Sequence, residues 1–234
     1  MKFNNQYQLD LPDAFPSDAF AIFMEGGRSL FLPDNTDGWK EFAGASNLIG
    51  WRYRTCYAGM DAYLSSWKTL GVAVGFDELF KREQSLFMMF VSGTSCLDSC
   101  CYALYAVANH PRVLSLPFGP NEQRQCSPKS LYRVLVSNSR GRELYTALDI
   151  MITSKYWILW NDLRNRMTHR SNLPRITFAS FGSPPPTAKP IRFAATSSTP
   201  ELEGDEDFLK NLFDEFTNSL RNILIAGTAL MRGA

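Results

Sequence analysis

Apolar residues recur every three or four positions over most of this chain, which is the period of an amphipathic helix. The longest such pattern follows the capping residues 34–37 and runs from Trp39 to about residue 70. A second extends from Asp77, which can cap it, to about residue 109, where His110-Pro111 ends it because proline disfavours helical geometry in the preceding residue. We therefore predict two antiparallel helices of roughly 30 residues, each ~45 Å long.

The rest of the chain indicates shorter helices. Ser127-Pro128 matches a capping residue with proline at the first helical position, after a loop over residues 116–125 rich in Pro, Gly and Asn. The predicted helices are residues 128–137, 142–154, 155–170 and 208–231, the last capped by the acidic loop 201–207.

Two segments favour β-hairpins at the periphery. Gly26-Gly27 can adopt the positive φ angles of a tight turn, so residues 19–25 and 28–32 are predicted to pair within an amino-terminal extension, residues 1–33, whose first 18 residues lie loosely on the surface. Apolar and polar residues alternate over residues 175–181 and 191–194, which predicts a hairpin insertion at residues 175–195. Since 234 residues without an internal repeat fit one core, we expect residues 1–234 to form a single all-α domain, an antiparallel helical bundle with two long core helices and small peripheral hairpins.

Composition narrows the class of protein. With a net charge of +1, the molecule as a whole does not attract polyanions such as nucleic acids. Any site that binds a polyanion must therefore be local. Five cysteines without dense even spacing favour a reducing compartment, and the amino terminus has no signal-peptide pattern, so we expect a cytoplasmic protein. The most apolar region, residues 86–108, contains Asp98 and has too short an unbroken apolar run to cross a bilayer, so no membrane contact is expected.

Positive charge is segregated in one region of the sequence. Residues 163–200 contain six Lys or Arg and no Asp or Glu, although the whole chain is nearly neutral. Arginines can grip phosphate oxygens through charge-assisted hydrogen bonds, which favours a phosphate-facing surface. The alternative is that the cations complement a helix dipole, by about 0.3–1 kcal/mol each.

This basic region includes one of only two histidines. Cleavage of RNA by its own 2′-hydroxyl needs a base, an acid and positive charge against the developing phosphorane. His169 can serve either proton role near neutral pH, Arg164 supplies charge, and Asn165 can orient the phosphate or the histidine. Arg164 and His169 lie ~140° apart around an ideal helix, however. The reach of the arginine and a loosened last turn can close some of that gap, and a second copy of the chain across a two-fold axis could also supply the missing groups.

Residues 163–170, read as Leu-Arg-Asn-Arg-Met-Thr-His-Arg, resemble the signature of the HEPN superfamily, in which an arginine and a polar residue precede a histidine near the end of a core helix. The order of helices is also similar, so the resemblance covers roughly residues 34–231. It implies a homodimeric helical bundle and, in many members, a metal-independent endoribonuclease acting as a toxin, with an antitoxin protein as partner, or in phage defence or RNA processing. Arg164, Asn165 and His169 are then the candidate catalytic residues. The amino-terminal hairpin and the insertion depart from the minimal bundle.

The other candidates are assigned from their residue types. Arg166, Arg170 and Arg175 are expected to hold the RNA backbone. Asp98, in an apolar helix, would be costly to bury unpaired, so we expect it to orient Arg164 or His169; the alternative is a partly exposed residue on a polar helix edge.

Two further groups of residues are interpreted as packing. The cysteines lack enough histidine partners for a closed zinc site, and Trp157 and Trp160, which could stack on bases, are expected to pack in the core or a dimer interface. No metal or other cofactor is expected. The alternative function is an inactive module of the same fold that binds RNA, a nucleotide or a protein partner; a structural subunit is the third reading.

Overall fold

Helices dominate the residues that the computed structural model describes, which are 2–4, 9–32, 35–71, 74–169, 191–193 and 201–233. The α-helices are α1 (Ser17–Phe31), α2 (Thr36–Leu70), α3 (Phe76–Asn109), α4 (Pro120–Arg124), α5 (Pro128–Leu135), α6 (Arg142–Thr153), α7 (Lys155–His169) and α8 (Glu206–Arg232). Short strands form two antiparallel pairs, β1 (Lys2–Asn4) with β2 (Leu9–Leu11) and β3 (Ile191–Phe193) with β4 (Leu202–Gly204). The mainly helical fold class is therefore confirmed.

The two long helices begin and end close to their predicted positions. Asn35 caps α2, since its side-chain oxygen accepts a hydrogen bond from the Gly38 amide at 2.8 Å. Gly71 ends this helix with a φ of +62°, a backbone angle that favours glycine. Asp77, predicted as the cap of α3, instead lies in its first turn, one residue after the helix begins.

The shorter predicted helices are present as well. Ser127 caps α5 by accepting from the Ser130 amide at 3.2 Å, and Asp205 caps α8 by accepting from the Phe208 amide at 2.9 Å. A 3₁₀ turn, Ser139–Gly141, joins α5 to α6. The predicted loop 116–125 contains the short helix α4, and the acidic loop 201–207 contains the strand β4.

The hairpin predicted around Gly26-Gly27 is wrong. Both glycines lie inside α1, whose phenylalanines Phe20, Phe23 and Phe31 are buried. A methyl group on Gly27 would lie 2.1 Å from the Phe42 ring, so this glycine lets α1 approach α2 closely rather than forming a turn.

The amino-terminal segment also differs from its predicted loose course. The chain pairs with itself in β1 and β2, and Leu11 and Phe15 are buried in the common core. At the second predicted hairpin, β3 pairs with β4. The other predicted strand, residues 175–181, lies outside the described residues.

The helices α2 and α3 pack side by side and carry the other helices. A methyl group on Gly59 of α2 would lie 2.5 Å from the Ser85 carbonyl oxygen and 2.7 Å from the Met89 amide nitrogen of α3, so the two backbones nearly touch there. The helix α8 packs across this pair, where the Tyr53 and Thr217 hydroxyls lie 2.7 Å apart.

Arg82 fixes the turn at the far end of the α2–α3 pair. Its buried guanidinium donates hydrogen bonds to the Ser66 hydroxyl and to the carbonyl oxygens of Ser66 and Gly71, at 2.8 to 2.9 Å. It also lies over the Trp67 ring, 5.1 Å from the ring centroid. These bonds tie the last turn of α2 and the residue that ends it to α3.

Among the described residues, α3 alone is long and apolar enough to cross a membrane. In its most apolar 18-residue window, 61% of the residues are buried inside the protein. A helix that forms the core of a domain has these same properties, so its length and composition alone are weak evidence for a membrane span.

The close contact at Gly59 can be tested with a second glycine of the same helix. Gly59→Ala should lower the free energy of unfolding by about 1–3 kcal/mol because the methyl group overpacks the α2–α3 contact. Gly44→Ala is the matched control, since nothing lies within 4 Å of its added methyl group. Alanine should there stabilise the helix by roughly 0.5–1 kcal/mol. Urea unfolding followed by circular dichroism measures both, and equal effects would contradict the close contact.

Candidate functional site

Trp160 fixes the position of α7 on α3. Its ring lies edge-on to Phe90, with centroids 5.0 Å apart, and its indole nitrogen donates to the Phe90 carbonyl oxygen at 3.2 Å. On the other side the ring stacks on Phe216 of α8 at 5.2 Å. A methyl group on Gly93 would lie 2.2 Å from the Trp160 ring, so glycine is required beneath it. Trp160 therefore packs in the core, and α7 is held in register with α3.

One turn after Trp160, α7 presents Arg164 and Asn165. The Arg164 guanidinium donates to the side-chain oxygen of Asn165 at 2.9 Å. Its Nε atom is buried and makes no hydrogen bond to any described residue. A buried donor without an acceptor is costly, which makes this atom a candidate contact for a bound oxyanion.

Asp98 of α3 lies within electrostatic range of Arg164, and Arg52 of α2 lies within range of the same carboxylate. The Arg52 guanidinium donates to the Ser95 carbonyl oxygen at 2.8 Å and makes a short hydrogen bond to the Ser99 hydroxyl. These bonds hold Arg52 against α3, beside Asp98. Two guanidinium groups and one carboxylate thus converge from three helices.

The environment of Asp98 opposes its ionisation. Burial raises the pKa of this carboxyl from 3.8 to about 6, while the positive charges of Arg164 and Arg52 pull the pKa down. Desolvation therefore outweighs the two arginines. The charge of Asp98 changes between weakly acidic and neutral pH, a range in which a carboxyl group can exchange protons with a substrate or with its neighbours.

Arg166 does not fit its expected role in holding RNA. Its side chain is almost fully buried, and its guanidinium pairs with Asp162 one turn earlier, with N–O distances of 2.6 and 2.8 Å. The residue therefore stabilises α7 rather than facing solvent. The sequence did not indicate this pairing for two reasons. Neighbouring positions of a helix point in different directions, so adjacent arginines need not face the same surface. Asp162 also lies just before the segment 163–200 and was not counted with its charges.

His169 is the last residue of α7, so the residues from Arg164 to His169 lie on one helix. The positions of Arg164 and His169 consequently lie about 140° apart around the helix axis. Arg170 and Arg175 lie outside the described residues, and their expected RNA contacts stay a prediction.

The cysteines form part of the core. Cys56, Cys96, Cys100 and Cys101 are fully buried, and burial raises the pKa of each thiol. Raised pKa values keep the thiols protonated and poorly nucleophilic at neutral pH. Among the described residues, no cluster of three or more His, Cys, Asp or Glu side chains could hold a metal ion.

Arg52 and Ser99 are members of the cluster that sequence reasoning missed. Arg52 lies 112 positions before Arg164 in the chain, and only the packing of α2 on α3 brings it beside Asp98. One signal was available in the sequence. A charged residue within the apolar helical pattern of Ile49, Tyr53 and Cys56 needs a partner, as Asp98 does.

Comparisons of the chain with protein-family models, with curated proteins and with solved structures find no match.

Replacement of Asp98 should change how stability depends on pH. Well below pH 3.8 the carboxyl is protonated in both the folded and the unfolded chain, and its burial has no ionisation cost. As the pH rises from 4 towards 7, the unfolded chain loses this proton first, which destabilises the folded state of the wild type but not of Asp98→Asn. The free energy of unfolding of Asp98→Asn, relative to wild type, should therefore rise by on the order of 2 kcal/mol across this range.

Urea unfolding of both proteins at pH 4, 5, 6 and 7 measures this difference. Any constant effect of the asparagine side chain cancels, because only the change with pH is compared. A difference that is flat, or that falls with increasing pH, would show that the Asp98 pKa is not raised.

Proposed function

We propose that this protein is a metal-independent endoribonuclease of the HEPN type. The observation that carries the proposal is the convergence of Arg52, Asp98 and Arg164 from three helices, beside Asn165 and on the helix that ends at His169. The sequence resemblance supplies the reaction, and the cluster supplies a place where a phosphodiester would meet the positive charge of two half-buried arginines.

In this proposal Arg164 stabilises the negative charge that develops on the phosphorane. Its Nε atom makes no hydrogen bond to a described residue, so it gains an acceptor if the guanidinium turns towards a bound phosphate. Asn165 holds one guanidinium nitrogen in place through its side-chain oxygen. Asp98 acts as a positioning residue, because its negative charge attracts the same guanidinium.

His169 is proposed as the general base for the 2′-hydroxyl or the general acid for the leaving 5′-oxygen. The positions of Arg164 and His169 lie about 140° apart around α7, which favours the two groups coming from different chains at one phosphate. We therefore propose a homodimer in which the Arg164 of one copy works with the His169 of its partner across a two-fold axis.

The family resemblance extends the proposal to the biological setting. A cytoplasmic ribonuclease of this type would act as a toxin with an antitoxin partner, or as a phage-defence effector. RNA contacts would come from Arg170 and Arg175, whereas buried Arg166 serves the stability of α7.

Cleavage of mixed RNA in the presence of EDTA tests the activity. His169→Ala and Arg164→Ala should each lower the cleavage rate by about 10²-fold or more, because each removes a group that acts in the transition state. Arg133→Ala is the control: it also removes one positive charge, but from an exposed position on α5. Cleavage that survives both site substitutions would exclude the proposed nuclease. RNA binding without cleavage by the wild type would instead favour the inactive binding module.

A mixture of the two inactive variants tests the shared site. Random reassortment makes half of the dimers hybrids, and in each hybrid one of the two composite sites keeps both wild-type groups. An equimolar mixture of His169→Ala and Arg164→Ala, unfolded and refolded together, should therefore recover about a quarter of the wild-type rate. If wild-type cleavage depends on both residues but the mixture stays inactive, the active site lies within one chain and the shared-site geometry is wrong.

A further inference from the structure

A second surface lies between α6 and α8 and contains none of the proposed catalytic residues. It is a groove of about 790 Å³. One wall is a row of α6 residues that includes Ala147 and Ile150. The other runs from Asn222 of α8 to Gly233, the residue that follows this helix. Eleven residue steps along α8 give the groove a length of about 16 Å, or three helical turns.

The shape of this groove suits a third helix. Its walls are residues spaced three and four positions apart on two packed helices, which is the pattern of ridges between which another helix packs. Small side chains such as Ala147, Ala226 and Ala229 line the groove and leave it open, so the backbone of a docked helix could approach closely.

Apolar side chains stand open at both edges. Ile150 on α6 is 63% exposed, and Ile225 on α8 is 50% exposed. Small-molecule sites usually enclose most of their ligand, whereas a docked helix buries only one face. The open edges therefore favour a helix over a small apolar ligand.

The charged residues at one end of the groove indicate which chemical group of an occupant they would attract. Ser139, Arg140 and Arg142 line the groove where α6 begins, and the Arg140 guanidinium is held there by a 3.4 Å hydrogen bond to the Val113 carbonyl oxygen. Among the described residues that line the groove Glu143 is the only carboxylate, so two cations face one anion. An acidic group on the occupant would complement this end.

We propose that the groove between α6 and α8 binds an amphipathic helix of a partner protein. The helix has aliphatic side chains three and four positions apart over three turns, and it has an acidic residue at the end that meets Arg140 and Arg142. The aliphatic row covers Ile150 and Ile225. This inference does not depend on the proposed ribonuclease activity.

A display library of 14-residue helix-forming peptides, selected on the full-length protein, tests the groove without a named partner. Peptides that bind Ala229→Trp, in which the indole fills the groove, are removed by counter-selection. Enriched sequences should share aliphatic residues at helical spacing and an acidic residue at one end. The best peptide should bind the wild type at least 10-fold more tightly than Ala229→Trp, as measured by fluorescence anisotropy.

Charge reversal tests the orientation. The double variant Arg140→Glu, Arg142→Glu should weaken the selected peptide at least 10-fold, and replacement of the peptide's acidic residue by lysine should restore part of that loss. Arg133→Glu is the control, since it reverses an exposed charge that does not line the groove. Circular dichroism of each variant checks that it is folded. The proposal is overturned if no helical peptide is enriched, if the enriched peptides lack acidic residues, or if a folded Ala229→Trp or charge-reversed variant binds as tightly as the wild type.

Discussion

The close approach of α2 and α3 is the constraint on which the candidate site depends. Gly59 lets the two backbones nearly touch, and Gly93 of α3 then leaves room for the Trp160 ring of α7. With larger residues at these two positions the helices would stand farther apart. Because side chains reach only a few ångströms, Arg52, Asp98 and Arg164 converge only while this spacing is kept. Glycine destabilises a helix, and at Gly59 and Gly93 the close packing offsets this cost.

The same close packing determines the electrostatics of the cluster. The helices packed around Asp98 leave it partly buried, which disfavours its charged form, while Arg52 and Arg164 favour it. The outcome is a carboxyl group with a pKa of about 6, between the values expected for an exposed and an unpaired buried carboxylate. At the far end of α3 the buried Arg82 guanidinium instead donates hydrogen bonds directly to hydroxyl and carbonyl oxygens. Burial alone therefore does not mark Asp98 as part of a candidate site. Its position between two cations from other helices does.

Apart from α1 and α4, the helix bounds could be read from the sequence to within a few residues, because apolar spacing and capping residues act locally. The role of the pair Gly26-Gly27 could not be read in this way, because the pair also satisfies the rules for a turn. Only the Phe42 ring packed against Gly27 shows that the helix needs a small residue there. Arg166 shows the same limit for charge, since composition marks a basic region but not which arginine turns inward to Asp162. Arg52 could not be paired with Asp98 in advance, because their contact depends on the register of two long helices. Local rules thus located Arg164, Asn165 and Asp98, and tertiary packing decided their neighbours.

The angle between Arg164 and His169 limits every mechanism that uses both. On a continuous helix such as α7, two positions five residues apart cannot face one phosphate without a bend, and the helix continues through His169. A second copy related by a two-fold axis removes the difficulty, because the face that carries Arg164 in one chain can meet the face that carries His169 in the other. Catalysis would then depend on protein concentration, and a partner that separates the two copies would inhibit it without touching either residue. Regulation of such an enzyme therefore does not require a ligand at its active site.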